Sequence, residues 1–242
     1  YNEPKGTYSS FGVIPKIDGG EFIVGKFEET LPNFFSKEKP MASLINFDAD
    51  LYSSTLCALN NSNKVIDEKT ILIFTADHGT SCGEKIGENA YGTFLYDYTL
   101  KVFCIIHIPN EDFKIISNQC SSLDLFPTVV ELSGLSTQKY CSGLSGTSLV
   151  IFIDNPEPKN RLIFSETGGL GGPWPSPKKH NIFCVRSNDS KLIYNDTSQT
   201  WEFYDLKQDP DEKNNIYSEN LEIITKLKNH LVHHLKILNK DT

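Results

Sequence analysis

Thr70–Gly79, TILIFTADHG, decides the fold. Ile71, Leu72, Ile73 and Phe74 form a short unbroken apolar run, the pattern of a strand covered on both faces, as in parallel α/β sheets. The run stops at Thr75 and Ala76 and presents Asp77, His78 and Gly79. Open α/β sheets place ligands and chemistry at the carboxyl ends of their strands. Asp offers a hard anionic oxygen, His an imidazole nitrogen, and Gly a backbone that can turn away at once. Asp77 and His78 are therefore the candidate metal ligands, set against the alternative of an ordinary strand-to-loop turn in which Asp77 bonds its own backbone.

The chain around this stretch has 242 residues, enough for one large α/β domain or one domain with a small appended piece. No apolar run approaches the ~20 residues of a membrane span. The net charge is −8 with no basic stripe, which argues against a nucleic-acid surface. The six cysteines include no C-x-x-C pair, and Cys57 and Cys104 sit in apolar contexts that suggest buried thiols. The opening residues YNEPKGTYSSFG resemble neither a signal peptide nor a start, so the chain is expected to begin inside a longer protein.

Residues 1–40 read as loop, with one short strand expected at Glu21 to Val24. From Met41 an amphipathic helix is expected, carrying Leu44, Ile45, Leu51, Tyr52, Leu56 and Leu59 and ended by Asn60 to Asn63, with Asp48 on its apolar face. A Gly-rich loop follows Gly79 and leads into a helical turn at Leu95 to Leu100. KVFCIIHI, from Lys101 to Ile108, is a second buried-strand candidate. In SSLDLFPTVVELSG, Pro127 pre-sets a helical turn, Gly134 is placed as a stop, and Asp124 is expected to cap or pair at the helix start. Four alternating runs beginning at Arg161, Phe183, Lys191 and Trp201 predict a small antiparallel sheet with turns at Asn188 to Ser190 and Asn195 to Gln199. GGLGGPWPSPKKH, with Trp174, Lys178 and His180, reads as a lid or a plain loop. Leu221 to Leu238 predicts a closing helix with Ile224, Leu227, Leu231, Leu235 and Leu238 on one face. His230 and His234 stand four apart on it, but a solvated face explains them better than a metal pair.

Four blocks, TILIFTADHG, GEKIGENAYGTFLYDYTLKVFCIIHIP, SSLDLFPTVVELSGLS and KLIYNDTSQTWEFYDLKQDPDEKNNIY, resemble in order the later part of the sulfatase family, within the alkaline-phosphatase-like superfamily. The resemblance implies an α/β fold: a mixed or parallel sheet flanked by helices across residues 1–155, then a small antiparallel subdomain across 156–242. It implies hydrolysis of sulfuric esters at one divalent cation, calcium first and magnesium, manganese or zinc as alternatives, with Asp77 and His78 as metal ligands. The expected partner is a small-molecule or carbohydrate sulfate ester. In the family, a His after G-E and a further basic residue contact the sulfate. Here Asn89 stands at the first place and Tyr91 or Thr93 near the second, and Lys85 is the nearest cation. Lys85, Asn89 and Tyr91 are thus the substrate-binding candidates, although an amide or phenol stabilises a dianionic transition state less than a cation does.

The resemblance also implies a nucleophile within C/S-x-P/A-x-R, converted to formylglycine, and no Cys or Ser of this chain stands in that motif. The catalytic nucleophile is therefore unknown, and the chain reads as the C-terminal portion of a sulfatase, inactive as a piece. The alternatives are a phosphodiester or phosphonate ester hydrolase of the same superfamily and a non-catalytic sulfatase-like binding protein.

Overall fold

The structure is a computed structural model that describes residues 13–14, 16–47, 52–86, 88, 91–155, 160–168, 180–218 and 221–238. In chain order the elements are α1 (Phe27–Phe34), α2 (Tyr52–Ser62), β1 (Leu72–Thr75), α3 (Asp97–Leu100), β2 (Cys104–His107), α4 (Leu125–Leu132), α5 (Thr137–Tyr140), α6 (Val150–Asp154), β3 (Ile163–Gly168), β4 (His180–Arg186), β5 (Ser190–Asn195), β6 (Thr200–Asp205) and α7 (Glu222–Leu238). They form two sheets, β1-β2 and β3-β4-β5-β6. The chain divides into two compact units, Tyr1–Ile73 with Ile105–Glu111, and Phe74–Cys104 with Asp112–Thr242.

The first unit corrects two expectations. Glu21 to Val24 form no strand, and a helix, α1, occupies part of the expected loop. Glu28 and Glu29 in its first turn complement the helix dipole, and the Thr30 hydroxyl returns to the Lys26 carbonyl at 2.9 Å. Residues 41–47 are not helical either, so the expected helix is seen only as α2, which runs through Asn60 and Asn61 to Ser62. Asn61 stays in the helix by donating its side-chain amide to the Cys57 carbonyl at 2.8 Å, four residues back. Asp48 lies outside the described residues.

β1 and β2 form where the two apolar runs predicted them, yet their side chains are not covered on both faces. Phe74 is 47% exposed and Ile105 60%. Among the described residues their sheet has two strands, and a strand gains two covered faces only where further strands and helices flank it. Cys104, expected to be buried, is exposed for the same reason, and Cys57 is half-buried.

The second unit centres on the antiparallel meander β3 to β6. The register pairs Cys184 with Ile193, Val185 with Leu192 and Leu192 with Phe203. Since side chains alternate along a strand, the two faces gather different partners. Val185, Leu192 and Phe203 pack against Ile224, Leu227 and Leu231 of α7, while Ile182, Cys184, Ile193 and Tyr204 pack against Leu95 and Tyr96 just before α3. Leu192 and Val185 are fully buried, each worth about 1.5–3 kcal/mol of hydrophobic burial. The sheet, its turns and the apolar face of α7 lie where the sequence predicted them; Leu238 carries no described side chain, and Trp174 and Lys178 lie outside the described residues. His230 is exposed and His234 stacks on Phe164 with centroids 4.1 Å apart, so the two share no metal geometry.

Before α4, Ser121 and Asp124 form a capping box: the Ser121 hydroxyl accepts from Leu123 N–H at 3.3 Å, and Ser121 N–H donates to Asp124 Oδ2 at 2.7 Å. Asp124 also accepts from Thr147 N–H at 2.8 Å and from both Arg161 guanidinium nitrogens. Gly134, with φ of 71°, ends α4 in the left-handed conformation expected of a glycine stop. Among the described residues no helix is long and apolar enough to cross a membrane.

Candidate metal and substrate site

β1 delivers Asp77, His78 and Gly79 at its carboxyl end. Asp77 Oδ1 accepts from His78 N–H at 2.8 Å, which turns the chain. His78 Nδ1 lies 2.7 Å from the Gly79 carbonyl oxygen. A carbonyl only accepts, so Nδ1 carries a hydrogen, and in the neutral ring the lone pair is then on Nε2. That nitrogen stands 3.4 Å from Asp77 Oδ2. Two lone-pair atoms thus converge on a position that a proton or a cation satisfies. Their spacing suits neighbouring ligands of a cation bonded at about 2.0–2.6 Å, and the Nδ1–H to carbonyl bond is the kind that orients a ligating histidine. Among the described residues no group of three or more His, Cys, Asp and Glu assembles around one point.

Tyr91 joins the pair. Its ring stacks on the His78 imidazole with centroids 3.7 Å apart and fixes the plane of the ring. Lys85 is committed elsewhere: its ammonium donates to the Glu212 carbonyl at 2.5 Å and lies over the Tyr96 ring, 4.4 Å from the centroid. Asn89 lies outside the described residues. The structure therefore brings Tyr91 to the metal candidates and holds Lys85 on the sheet side of the loop.

Three carboxylates organise this loop, Glu88 and Glu212 buried and Asp97 half-buried, and the sequence pattern singles out none of them. Glu88 is buried and accepts from Thr93 N–H, Phe94 N–H and the Tyr98 hydroxyl at 2.9, 3.0 and 2.6 Å. Burial, with Glu88 beside it, pushes the Tyr98 hydroxyl well above its ordinary pKa. Asp97 takes Lys191 Nζ at 2.8 Å and Arg186 Nη2 at 2.9 Å. Burial works to raise its carboxyl, and the two cations outweigh it and hold the pKa below the usual value. Glu212 shares Lys191 at 2.9 Å, but there burial prevails and its carboxyl is pushed up. The available signal was a Lys in an otherwise apolar strand run, KLIY, which demands a buried acid. Thr167 of β3 adds a short bond to the Gly92 carbonyl. The turn at Asp209 to Glu212 is held by Asp209, which accepts from Lys213 and Asn214 N–H at 3.0 and 2.8 Å.

Residues 90–240 match the family model described as N-sulphoglucosamine sulphohydrolase, C-terminal. The chain belongs to the sulfatase family. The matched segment begins after Asp77 and His78. Bovine arylsulfatase K is 28% identical over 171 residues, 66% of this chain and 30% of that protein. The N-acetylglucosamine-6-O-sulfatase of Bacteroides thetaiotaomicron is 28% identical over 159 residues, 63% of this chain and 27% of its own. This sulfatase chain thus spans about three-tenths of the length of these relatives. Among solved structures, one in complex with its substrate D-glucosamine-2-N,6-O-disulfate aligns with a TM-score of 0.55 and 24% identity, covering 78% of this chain and 38% of the other. A phosphonate monoester hydrolase from Silicibacter pomeroyi aligns with a TM-score of 0.56 and 18% identity, covering 78% and 38%. At these identities the likeness speaks for the fold, which is the α/β, alkaline-phosphatase-like architecture expected from the sequence.

Proposed function

We propose that this chain contributes the carboxyl-terminal part of a sulfuric ester hydrolase and that Asp77 and His78 supply two ligands of its divalent cation. The observation that carries the reading is the convergence of His78 Nε2 and Asp77 Oδ2 at 3.4 Å, with Nδ1 held by the Gly79 carbonyl. A bound cation would polarise the sulfate oxygens as a Lewis acid. Asp77 and His78 would hold and orient it, Tyr91 keeps the imidazole in plane, and Lys85 and Asn89 are the candidates for contact with the ester. The ions to try first are calcium, then magnesium, manganese and zinc; carboxylate plus imidazole suits each of them. The substrate proposed is a sulfated carbohydrate or aryl sulfate, by analogy with the relatives' names. The nucleophile is assigned to residues outside this chain.

The test is calorimetric titration of the full-length protein with calcium, alongside hydrolysis of an aryl sulfate, a glucosamine sulfate and the matching phosphate ester. Asp77→Asn and His78→Gln are each expected to weaken cation binding by about tenfold or more and to lower sulfate ester turnover with it. Unchanged cation affinity in both variants would remove the metal role. Turnover of the phosphate ester alone would move the reading to the phosphoryl branch of the superfamily.

A further inference from the structure

We propose that Glu212 is a positioning residue for the Asp77–His78 pair, acting through α3 from 134 and 135 residues away in the sequence. The first link is at Gly79, whose N–H donates to the Thr99 carbonyl at 2.7 Å. Gly79 lies so close to α3 that a Cβ built there would stand 2.2 Å from the Tyr98 carbonyl oxygen. Wherever α3 sits, the backbone that carries His78 follows.

The second link fixes α3. The Asp97 N–H at its start has no partner within the helix, and Glu212 Oε2 accepts it at 2.5 Å. The Asp97 carboxylate and Glu212 Oε1 both take Lys191 Nζ, and Arg186 completes a set of two acids and two bases. Lys191 is 0% exposed and Glu212 1%. Charges buried this deeply add little net stability over an apolar packing of equal volume, but they tolerate only one arrangement. Glu212 is itself held in place: its backbone takes a φ of 53° and its carbonyl accepts from Lys85. The turn after β6 thereby sets the position of α3, and α3 sets Gly79. The consequence for cation binding rests on the proposed role of Asp77 and His78; the mechanical link does not.

The experiment measures backbone amide exchange at Gly79 in the full-length protein, with calcium titration beside it. Glu212→Met keeps the volume and removes the acceptor. It should speed Gly79 exchange by about tenfold while the sheet amides of Val185 and Leu192 keep their rates, and Glu212→Gln, which restores an acceptor oxygen, should return Gly79 to within about threefold of the parent. Calcium affinity should fall by about tenfold in the Met variant and recover in the Gln variant. Gly79 exchange that is unchanged in Glu212→Met, or that rises only in step with Val185 and Leu192, overturns the proposal. Should Glu212→Met not fold, Glu212→Asp withdraws the acceptor by one methylene and is read the same way. A parent protein that binds no cation yet shows the exchange response would sink the metal reading and leave the positioning link standing.

Discussion

The imidazole of His78 lies against the ring of Tyr91, with centroids 3.7 Å apart and planes 28° apart. Together with the Nδ1 bond to the Gly79 carbonyl, this leaves the imidazole no free torsion. Tyr91→Ala should let the ring turn and lower cation affinity by about tenfold, whereas Tyr91→Phe should retain it. Calorimetric titration of both variants decides the point; equal loss in Phe and Ala would assign the effect to the hydroxyl and not to the stack.

Gly79→Ala is expected to disturb the site more than its size suggests. The added methyl would meet the Tyr98 carbonyl oxygen at 2.2 Å and the Thr99 Cα at 3.1 Å, both backbone atoms that cannot rotate away. Overpacking of this kind costs about 1–3 kcal/mol. Urea unfolding should show that loss, and amide exchange should place it at Gly79 and α3.

Asp124 is fully buried and takes a bidentate guanidinium from Arg161 with bonds of 2.5 and 2.7 Å. Removing the cation strands a buried charge, so Arg161→Ala should destabilise the protein by about 3 kcal/mol, the lower end for a buried pair because Arg161 keeps some exposure. Denaturant midpoints check this.

The same acid predicts a pH dependence. Burial acts to raise the Asp124 carboxyl, but Arg161 and the Thr147 and Ser121 amides outweigh it and hold the pKa below the ordinary value. Its contribution is therefore complete above the unfolded-state pKa of about 3.9 and is lost as pH falls through the lower folded value. Asp97 acts in the same sense, and Glu212, whose carboxyl is raised, acts in the opposite one. Between about pH 5 and pH 2 the parent should lose more stability than Asp124→Asn, and parallel curves would refute the assignment.

Leu192→Ala should cost about 2–5 kcal/mol, since Leu192 is fully buried between Val185, Phe203 and α7. A loss below about 1 kcal/mol in thermal or urea unfolding would mean that the α7 face of the sheet is not the core described.

Sequence patterns revealed the parts of the fold whose signal is local. Strict alternation and polar turns give the meander at Arg161 to Asp205, and one apolar stripe gives α7. The pattern failed where its cause lies beyond the stretch being read. The apolar runs of β1 and β2 state what the strands are suited to, and the exposure of Phe74 and Ile105 depends on what flanks them. At the candidate site, the pairing of Asp77 and His78 at a strand end was legible because an apolar strand ending in D-H-G is contiguous. Glu88, Asp97 and Glu212 were not, because each acts on backbone amides or on cations whose places are set only once the chain has folded. Lys85, legible as a nearby charge, is held by a carbonyl 127 residues away.

That separation bears on the order of events during folding. The contacts that hold α3, from Asp97 to Lys191 and to Glu212, close loops of 94 and 115 residues. Loops of this length are slow to close, and each needs the meander to exist first. On a ribosome, Asp77, His78 and Tyr91 emerge long before the residues that lock the turn beside them. The site is expected to be the last part of this unit to acquire its geometry, so a nascent chain halted before Glu212 would present the D-H-G sequence without the lock on α3.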